Sequence, residues 1–336
     1  MKIPLLSVVV IGRNEGQRLA RCLASIDCMR GDHDREVIYA DSASTDGSPQ
    51  VAGELGAQVI VLKPGSHTAA AGRNAGWQRA LAPYILFLDG DTILQPDFAQ
   101  VGLKILDADQ RIGAVWGHRR EICPERSIYN RVLDLDWIYA PGETLFCGGD
   151  VLMRRSALAE VGGYDSELMA GEEPELCRRL RAAGYRVLHI DVPMTGHDLC
   201  MTRFVQYWRR ALRAGYAYAE IANRFRRTSD PMWLQESKRN FRIGGFWMIW
   251  FAASIPLLAL SPWWLMPWLG VLAFLAVRSA SRARWKAPGR MLLLLLYGAH
   301  SHLQQVPILF GQLTYLRVQR SGGQGKRIQY KEQVGL

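Results

Sequence analysis

Short apolar runs alternate with segments of helical period through the first part of the chain. "LSVVVIG" (residues 6–12) is a continuous run rich in β-formers. "NEGQRLARCLASI" follows it with Leu19, Cys22, Leu23 and Ile26 at helical spacing. "EVIYADS", "SPQVAGELGA", "QVIVLK", "TAAAGRNAGWQRAL" and "YILFLD" continue the alternation to residue 89. Strands that take turns with helices predict an α/β fold, a mostly parallel central sheet with flanking helices. Uninterrupted apolar strands of this kind are buried on both faces. "LLSVVVIG" runs into "RNEGQRLARCL" without a small-residue cleavage site, so it reads as a buried first strand and not as a leader.

The pattern changes after residue 200. At about 100° per residue, Phe204, Trp208, Ala211, Leu212, Gly215 and Ala219 share one face of a helix over 201–225. Arg203, Gln206, Arg209, Arg210 and Arg213 share the other, a distribution suited to a helix lying in a membrane interface or packed on a protein surface. From Phe246 to Val277 there is no charge. As one helix that run would be ~48 Å long, well beyond the ~30 Å hydrocarbon thickness. "SPWW" offers a break in its middle. Basic residues flank it on both sides (Lys238, Arg239 and Arg242 before; Arg278, Arg282 and Arg284 after), which predicts a hairpin with both ends cytoplasmic. A second apolar run, 291–316, is interrupted by His300, His302, Gln304 and Gln305 and reads as another hairpin or as a span lying against protein.

Ligands of an open α/β sheet bind outside the carboxyl ends of its strands. Read in order, those ends give Arg13, Asn14 and Glu15, then Asp41, Ser42 and Asp46, then Arg73 and Asn74, then Asp89 and Asp91. Asp89 and Asp91 are two apart in an extended segment and face one direction. Like charges so placed call for a cation between them, although Asp and Gly are also ordinary turn residues. Carboxylates suit a ribose or a base edge, Arg73 suits a phosphate, and the aspartate pair suits a hard cation bridging phosphates. No GxGxxG or GxxxxGK[ST] follows the first strand, which argues against a dinucleotide fold or a P-loop. The edge fits a nucleotide whose diphosphate is held by metal.

In this order "SVVVIGRNEGQRLARCLASI", "DSASTDGS", "AGRNAG" and "FLDGDT" resemble the family 2 glycosyltransferases of GT-A fold, over about residues 5–200. The resemblance implies that Glu15, Asp41 and Asp46 belong to the nucleotide pocket and Arg73 to the donor region, with Asn14 and Ser42 beside them. Asp89 and Asp91 would form the DxD element, Asp91 being the direct ligand of a divalent metal, Mn or Mg. That cation would neutralise the diphosphate leaving group. Gly148 and Gly149 would let backbone approach the sugar closely. In "GEEPELCRRL", Glu173 stands where the family carries the aspartate that acts as general base, and Glu172 is the alternative. Both also suit a helix N-terminus. His197, in "TGHD", is a candidate to complete the metal shell or contact a phosphate, or a hydrogen-bonded structural residue. Displacement would be direct, with inversion at the anomeric carbon.

Charge narrows the partner classes. The chain of 336 residues carries a formal net charge of +10, and the excess sits beside the apolar runs. It is read as serving anionic headgroups and phosphates, so no nucleic-acid partner is expected. Six cysteines lack CxxC pairing and metal-like spacing and read as reduced thiols. The expected function is metal-dependent inverting sugar transfer from a nucleotide-sugar donor, a UDP-sugar by the family's habit, to a lipid-linked acceptor. The expected place is the cytoplasmic face of the inner membrane, among membrane lipids. Alternatives are a processive polysaccharide synthase or a non-catalytic membrane scaffold that keeps the fold. "QYWRR" is similar to the QxxRW element of processive enzymes, with Gln206 and Arg209, but Arg210 stands where Trp is found. The expected organisation is a catalytic domain over 1–200, amphipathic interface helices over 201–242, membrane-embedded hairpins over 243–318 and a basic cytoplasmic tail over 319–336. A homo-oligomer paired through exposed apolar arms is a further expected assembly.

Overall fold

The computed structural model describes residues 3–31, 34–63, 68–168 and 170–321. Contacts divide the chain into two units, Met1–Cys123 with Trp137–Leu199, and Pro124–Asp136 with Cys200–Leu336. The basic tail expected over 319–336 lies outside the described residues from 322 onward.

The first unit begins β1 (Leu6–Gly12), α1 (Gln17–Asp27), β2 (Arg35–Asp41), α2 (Ser48–Glu54), β3 (Gln58–Val61), α3 (Ala69–Arg79) and β4 (Tyr84–Asp89). It continues with β5 (Thr92–Leu94), α4 (Phe98–Ala108) and β6 (Ile112–Glu121); α5 (Ile128–Asp134) belongs to the second unit. After it come β7 (Gly142–Glu143), β8 (Val151–Arg154), α6 (Arg155–Glu160), α7 (Glu172–Ala182) and β9 (Arg186–His197). Among the described residues one sheet has the order β3-β2-β1-β4-β8-β6-β9-β5, with β7 on β9. β1 to β4 pair in parallel, β8 inserts antiparallel between β4 and β6, and β6 runs parallel to β9. The sheet is therefore mixed, with its parallel part where the apolar strands predicted it.

Burial explains the alternation. Val8, Val9 and Val10 of β1 and Ile85, Leu86, Phe87 and Leu88 of β4 are completely buried, each worth about 1.5–3 kcal/mol of transfer free energy. The helical stripe of α1, Leu19, Cys22, Leu23 and Ile26, is buried as its spacing required. One pairing matters for the site. β5 lies antiparallel on β9 with Thr92 opposite His197, so the residue before Thr92 comes beside the end of β9.

The second unit holds α8 (Phe204–Phe225), α9 (Leu234–Leu260), α10 (Leu265–Arg282), α11 (Met291–Leu303) and α12 (Gln305–Arg320). The turn between α9 and α10 falls at Ser261–Trp264, where Pro262 ends the apolar run's first arm. Both arms extend past the uncharged stretch, because α9 starts at Leu234 and α10 ends at Arg282. Leu234–Leu260 and Pro262–Arg282 are long and apolar enough to cross a membrane, and Ile249, Leu260, Trp263 and Phe274 are largely exposed on them. Gln304, between α11 and α12, keeps helical backbone angles, so the second apolar run continues instead of doubling back. Its polar middle is satisfied in part inside the unit. The Tyr207 hydroxyl meets His300 Nδ1 at 2.8 Å, and Ser279 Oγ meets His302 Nε2 at 3.0 Å.

Helices α8 and α12 pack at backbone contact. A Cβ on Gly215 would stand 2.0 Å from the Ile308 carbonyl oxygen, and one on Gly311 2.0 Å from that of Leu212. Small residues at such crossings are what close helix packing requires. Ala211, Gly215 and Ala219, on the apolar face read from the sequence, are accordingly buried, while Phe204 at the helix start is exposed.

Candidate active site

The β1–α1 and β2–α2 loops are laced together by the residues the sequence singled out. Asp41, fully buried at the end of β2, accepts from the Tyr39 hydroxyl at 2.9 Å, the Ser44 hydroxyl at 2.5 Å and the Ser44 N–H at 2.7 Å. Burial, then the Asp41 charge, pushes the Tyr39 phenol up and keeps it a donor. Asn14 has a left-handed backbone (φ 55°); its N–H donates to Ser44 Oγ at 2.8 Å and its Oδ1 accepts from the Thr45 N–H at 2.7 Å. Asp46 accepts from the Ser48 N–H and hydroxyl at 3.1 and 2.6 Å, beside the start of α2. The buried Glu15 lies 2.9 Å from Arg18, and the Ser42 N–H donates to the Gly12 carbonyl at 2.9 Å. Both loops are thus set before any ligand arrives.

At the end of β4 the carboxylates meet two guanidiniums. Arg73, on α3 and only 2% exposed, reaches Asp89 with Nη2 at 2.9 Å and Glu172 and Glu173 with Nη1 at 3.0 and 3.3 Å. Burial opposes its charge, but Glu173 and Asp89 outweigh that and hold it firmly protonated. Arg119, on β6, approaches Asp89 Oδ2 and Asp150 Oδ2 at 3.3 Å each, and its guanidinium lies 5.2 Å from the Trp137 ring centre. Asp150 is buried and also accepts from the Asp89 N–H at 2.9 Å and the Thr195 hydroxyl at 2.7 Å. Burial pushes its carboxyl up to about 6 against the pull of Arg119. Gly149 is required here: a Cβ would stand 2.5 Å from Arg73 Nη2 and 2.9 Å from Asp89 Oδ2. Gly148 beside it faces open space.

Asp91 points elsewhere than Asp89. Its Oδ2 is 3.2 Å from His197 Nε2, both side chains being almost fully buried. His197 Nδ1 lies 4.0 Å from Glu121, and the Trp137 ring stands edge-on at 4.7 Å. Among the described residues no three His, Cys, Asp or Glu side chains form a ready metal cage. The donor set nonetheless fits a divalent cation. Asp91 and His197 give one hard oxygen and one imidazole nitrogen, and Mg²⁺-type ions take one or two carboxylates plus substrate phosphates. Five carboxylates around two guanidiniums also leave this edge short of positive charge. Asp89, held by both arginines, is the less available ligand.

The structure separates the two glutamates at the start of α7. Glu172 is buried against Arg73, whereas the Glu173 side chain remains 18% exposed. Burial, with the charge of Glu172 beside it, pushes the Glu173 carboxyl up to about 7, although Arg73 pulls the other way. A carboxylate poised near neutrality is suited to taking a proton from a hydroxyl. Nearby, Cys147 and Cys177 are free thiols 3.4 Å apart.

The remaining candidates, Arg203, Gln206, Trp208, Arg209, Arg210 and Arg213, all stand on or at the start of α8 in the second unit. Gln206 has a local task there, since its Oε1 accepts from the N–H groups of Thr202 and Arg203 at 3.0 and 2.9 Å and caps the helix. Arg119, Asp150 and Trp137 escaped sequence reading. A polar strand end such as "GHRRE" reads as solvated, and only the insertion of β8 between β4 and β6 brings Asp150 and Arg119 to Asp89.

Residues 7–162 match the sequence model of the family described as Glycosyl transferase family 2. This stretch is a family 2 glycosyltransferase domain. Pre-mycofactocin glycosyltransferase from Mycobacterium tuberculosis is 26% identical over 263 residues, 74% of this chain and 52% of its own length. Poly-beta-1,6-N-acetyl-D-glucosamine synthase from Staphylococcus aureus is 23% identical over 195 residues, 54% of this chain and 47% of its own length. The chain thus spans about half the length of those curated relatives. The solved mannosyltransferase PcManGT from Pyrobaculum calidifontis, in complex with GDP-Man and Mn²⁺, superposes with a TM-score of 0.56 at 20% identity, covering 94% of this chain and 88% of that one. The likeness shows the GT-A fold.

Proposed function

We propose that this family 2 protein is a metal-dependent inverting glycosyltransferase. It takes a sugar from a nucleotide-sugar donor, a UDP-sugar in the first instance, and passes it to a lipid-linked acceptor at the cytoplasmic face of the inner membrane. One observation carries the reading: a single buried guanidinium, Arg73, touches both Asp89 on the donor side and Glu173, a carboxyl poised near neutrality. Glu173 accepts the proton of the acceptor hydroxyl, whose oxygen attacks the anomeric carbon as the nucleoside diphosphate leaves from the opposite side. Glu172 holds Arg73 in place. Asp91 and His197 are the residues that would hold Mn²⁺ or Mg²⁺, which when bound neutralises the leaving diphosphate. PcManGT, of the same fold, was solved with Mn²⁺. The long apolar helices α9 and α10 support a membrane-borne acceptor.

A second reading, a processive polysaccharide synthase, is favoured by the likeness to poly-N-acetylglucosamine synthase and to the cellulose synthase 1 catalytic subunit of Komagataeibacter xylinus. The capping task of Gln206 and the presence of Arg210 where QxxRW has Trp speak against it.

The test is release of nucleoside diphosphate from a panel of sugar nucleotides by detergent-purified protein, with and without a membrane-lipid extract. Release that needs the lipid, and that Asp91→Asn lowers by about 100-fold or more, supports the reading. Release of equal rate without lipid removes the lipid acceptor. Product of many sugar units moves the reading to a synthase, and no release from any donor overturns transfer altogether.

A further inference from the structure

The sequence offered Arg73 as the arginine of the donor phosphates, and the geometry points to another. Arg73 is 2% exposed, and both of its terminal nitrogens are engaged by carboxylates, Asp89 on one side and Glu172 and Glu173 on the other. It works as a buried counter-ion that ties the donor-side aspartate to the base. Arg119 approaches Asp89 from the opposite side, is 16% exposed, and rests against the Trp137 ring. Its contacts to Asp89 are long for charge-assisted hydrogen bonds, at 3.3 and 3.4 Å, where 2.7–2.9 Å is typical. Its Nε–H is buried and makes no hydrogen bond among the described residues, as is also true of Arg73, so the longer contacts and greater exposure are what set Arg119 apart. A buried guanidinium with a donor unsatisfied and its other bonds stretched calls for a missing acceptor.

We propose that Arg119, backed by Trp137, is the residue of this chain that binds the diphosphate of the nucleotide donor. The inference rests on the transferase reading and deepens it. Three features bear it out. Arg119 flanks Asp89 on the side towards His197, because Trp137 touches both Arg119 and His197. The planar fork of a guanidinium matches phosphate oxygens two at a time. Asp150, buried and fixed by Thr195, meets Nη1, the nitrogen that also approaches Asp89, so the guanidinium is positioned before the ligand arrives. Trp137 closes one face of it and leaves less water to compete.

The measurement is nucleotide affinity, not turnover. Full-length protein in detergent is titrated calorimetrically with UDP and UMP, and with GDP and GMP, in Mn²⁺ and again in EDTA. The variants are Arg119→Gln and Arg119→Lys, each checked by thermal unfolding. Loss of one charge-assisted contact corresponds to roughly a tenfold to hundredfold weaker association. Arg119→Gln should therefore lower the affinity for the diphosphate by that factor in Mn²⁺ and in EDTA alike, while the affinity for the monophosphate changes about threefold at most. Arg119→Lys, which keeps the charge and loses the fork, should fall between. A merely structural Arg119 would weaken monophosphate and diphosphate together, and that result overturns the proposal. An unchanged ratio of diphosphate to monophosphate affinity in Arg119→Gln overturns it as well, with the transferase reading intact. Wild-type protein that binds no nucleotide of the set sinks both.

Discussion

Replacing Glu173 with Gln should stabilise the first unit and abolish transfer, and the two effects should carry the same pH signature. In the folded protein, burial and the neighbouring Glu172 raise the Glu173 carboxyl from 4.5 to about 7. At about 1.4 kcal/mol for each tenfold change in proton affinity, that rise corresponds to roughly 3 kcal/mol. The side chain is only 18% exposed, so water screens little of it. A folded state that binds this proton more tightly than the unfolded chain has its full stability below about pH 4.5 and loses it as pH rises to about 7. Gln is uncharged throughout. Relative to wild type, Glu173→Gln should gain almost nothing at pH 4.5 and about 3 kcal/mol at pH 8. For a unit of this size that is a rise in unfolding temperature of roughly 6–12 °C. Thermal unfolding of both proteins in the same detergent from pH 4.5 to 8 reads this directly. In wild type, transfer should fall along an acid limb centred near pH 7, because only the ionised carboxylate takes a proton; Glu173→Gln should lose about 100-fold or more at pH 8, and the gap should shrink as pH falls below 7. The reasoning is refuted if Glu173→Gln unfolds at or below the wild-type temperature at pH 8. A gain that is the same at both ends of the pH range refutes it equally.

Glu172→Gln removes the charge that raises Glu173 and leaves Arg73 to it, so the acid limb of wild-type-like transfer should move to lower pH; a rate profile over pH 4.5–9 decides, and an unmoved limb counts against the arrangement. Gly149→Ala places a methyl 2.5 Å from Arg73 Nη2 and should lower nucleotide affinity and turnover by roughly tenfold or more, read by titration calorimetry; unaltered binding would show that the close approach is dispensable. Gly215→Ala drives a methyl to 2.0 Å from the Ile308 carbonyl oxygen and should cost about 1–3 kcal/mol in the second unit, seen as a lower unfolding temperature in detergent with nucleotide affinity of the remaining folded protein unchanged.

How much of this could be read from the chain alone depends on how far each property reaches along it. Period and composition are local, and they placed β1, α1 and β4, the buried stripe of Leu19, Cys22, Leu23 and Ile26, the break at Pro262 and the edge bearing Asp41, Asp89 and Asp91. The likeness in "FLDGDT" and "AGRNAG" was enough for the family and the fold. Pairing across the sheet is not local. Nothing near Asp89 says that β8 enters antiparallel beside it and carries Asp150, or that β6 follows and brings Arg119. The same holds for charge. In the sequence Arg73 suited a phosphate of the donor, and only the fold shows its two terminal nitrogens taken up by three carboxylates. Glu172 and Glu173 are adjacent and chemically identical, and burial against Arg73 is what tells them apart. Periodicity found the apolar face of α8, but a helix cannot state what covers it; the backbone contact at Gly215 assigns much of that face to α12. The sequence determines which groups are present and which way short segments turn them. Their electrostatic partners, and so their chemistry, exist only once strands and helices distant in sequence have packed.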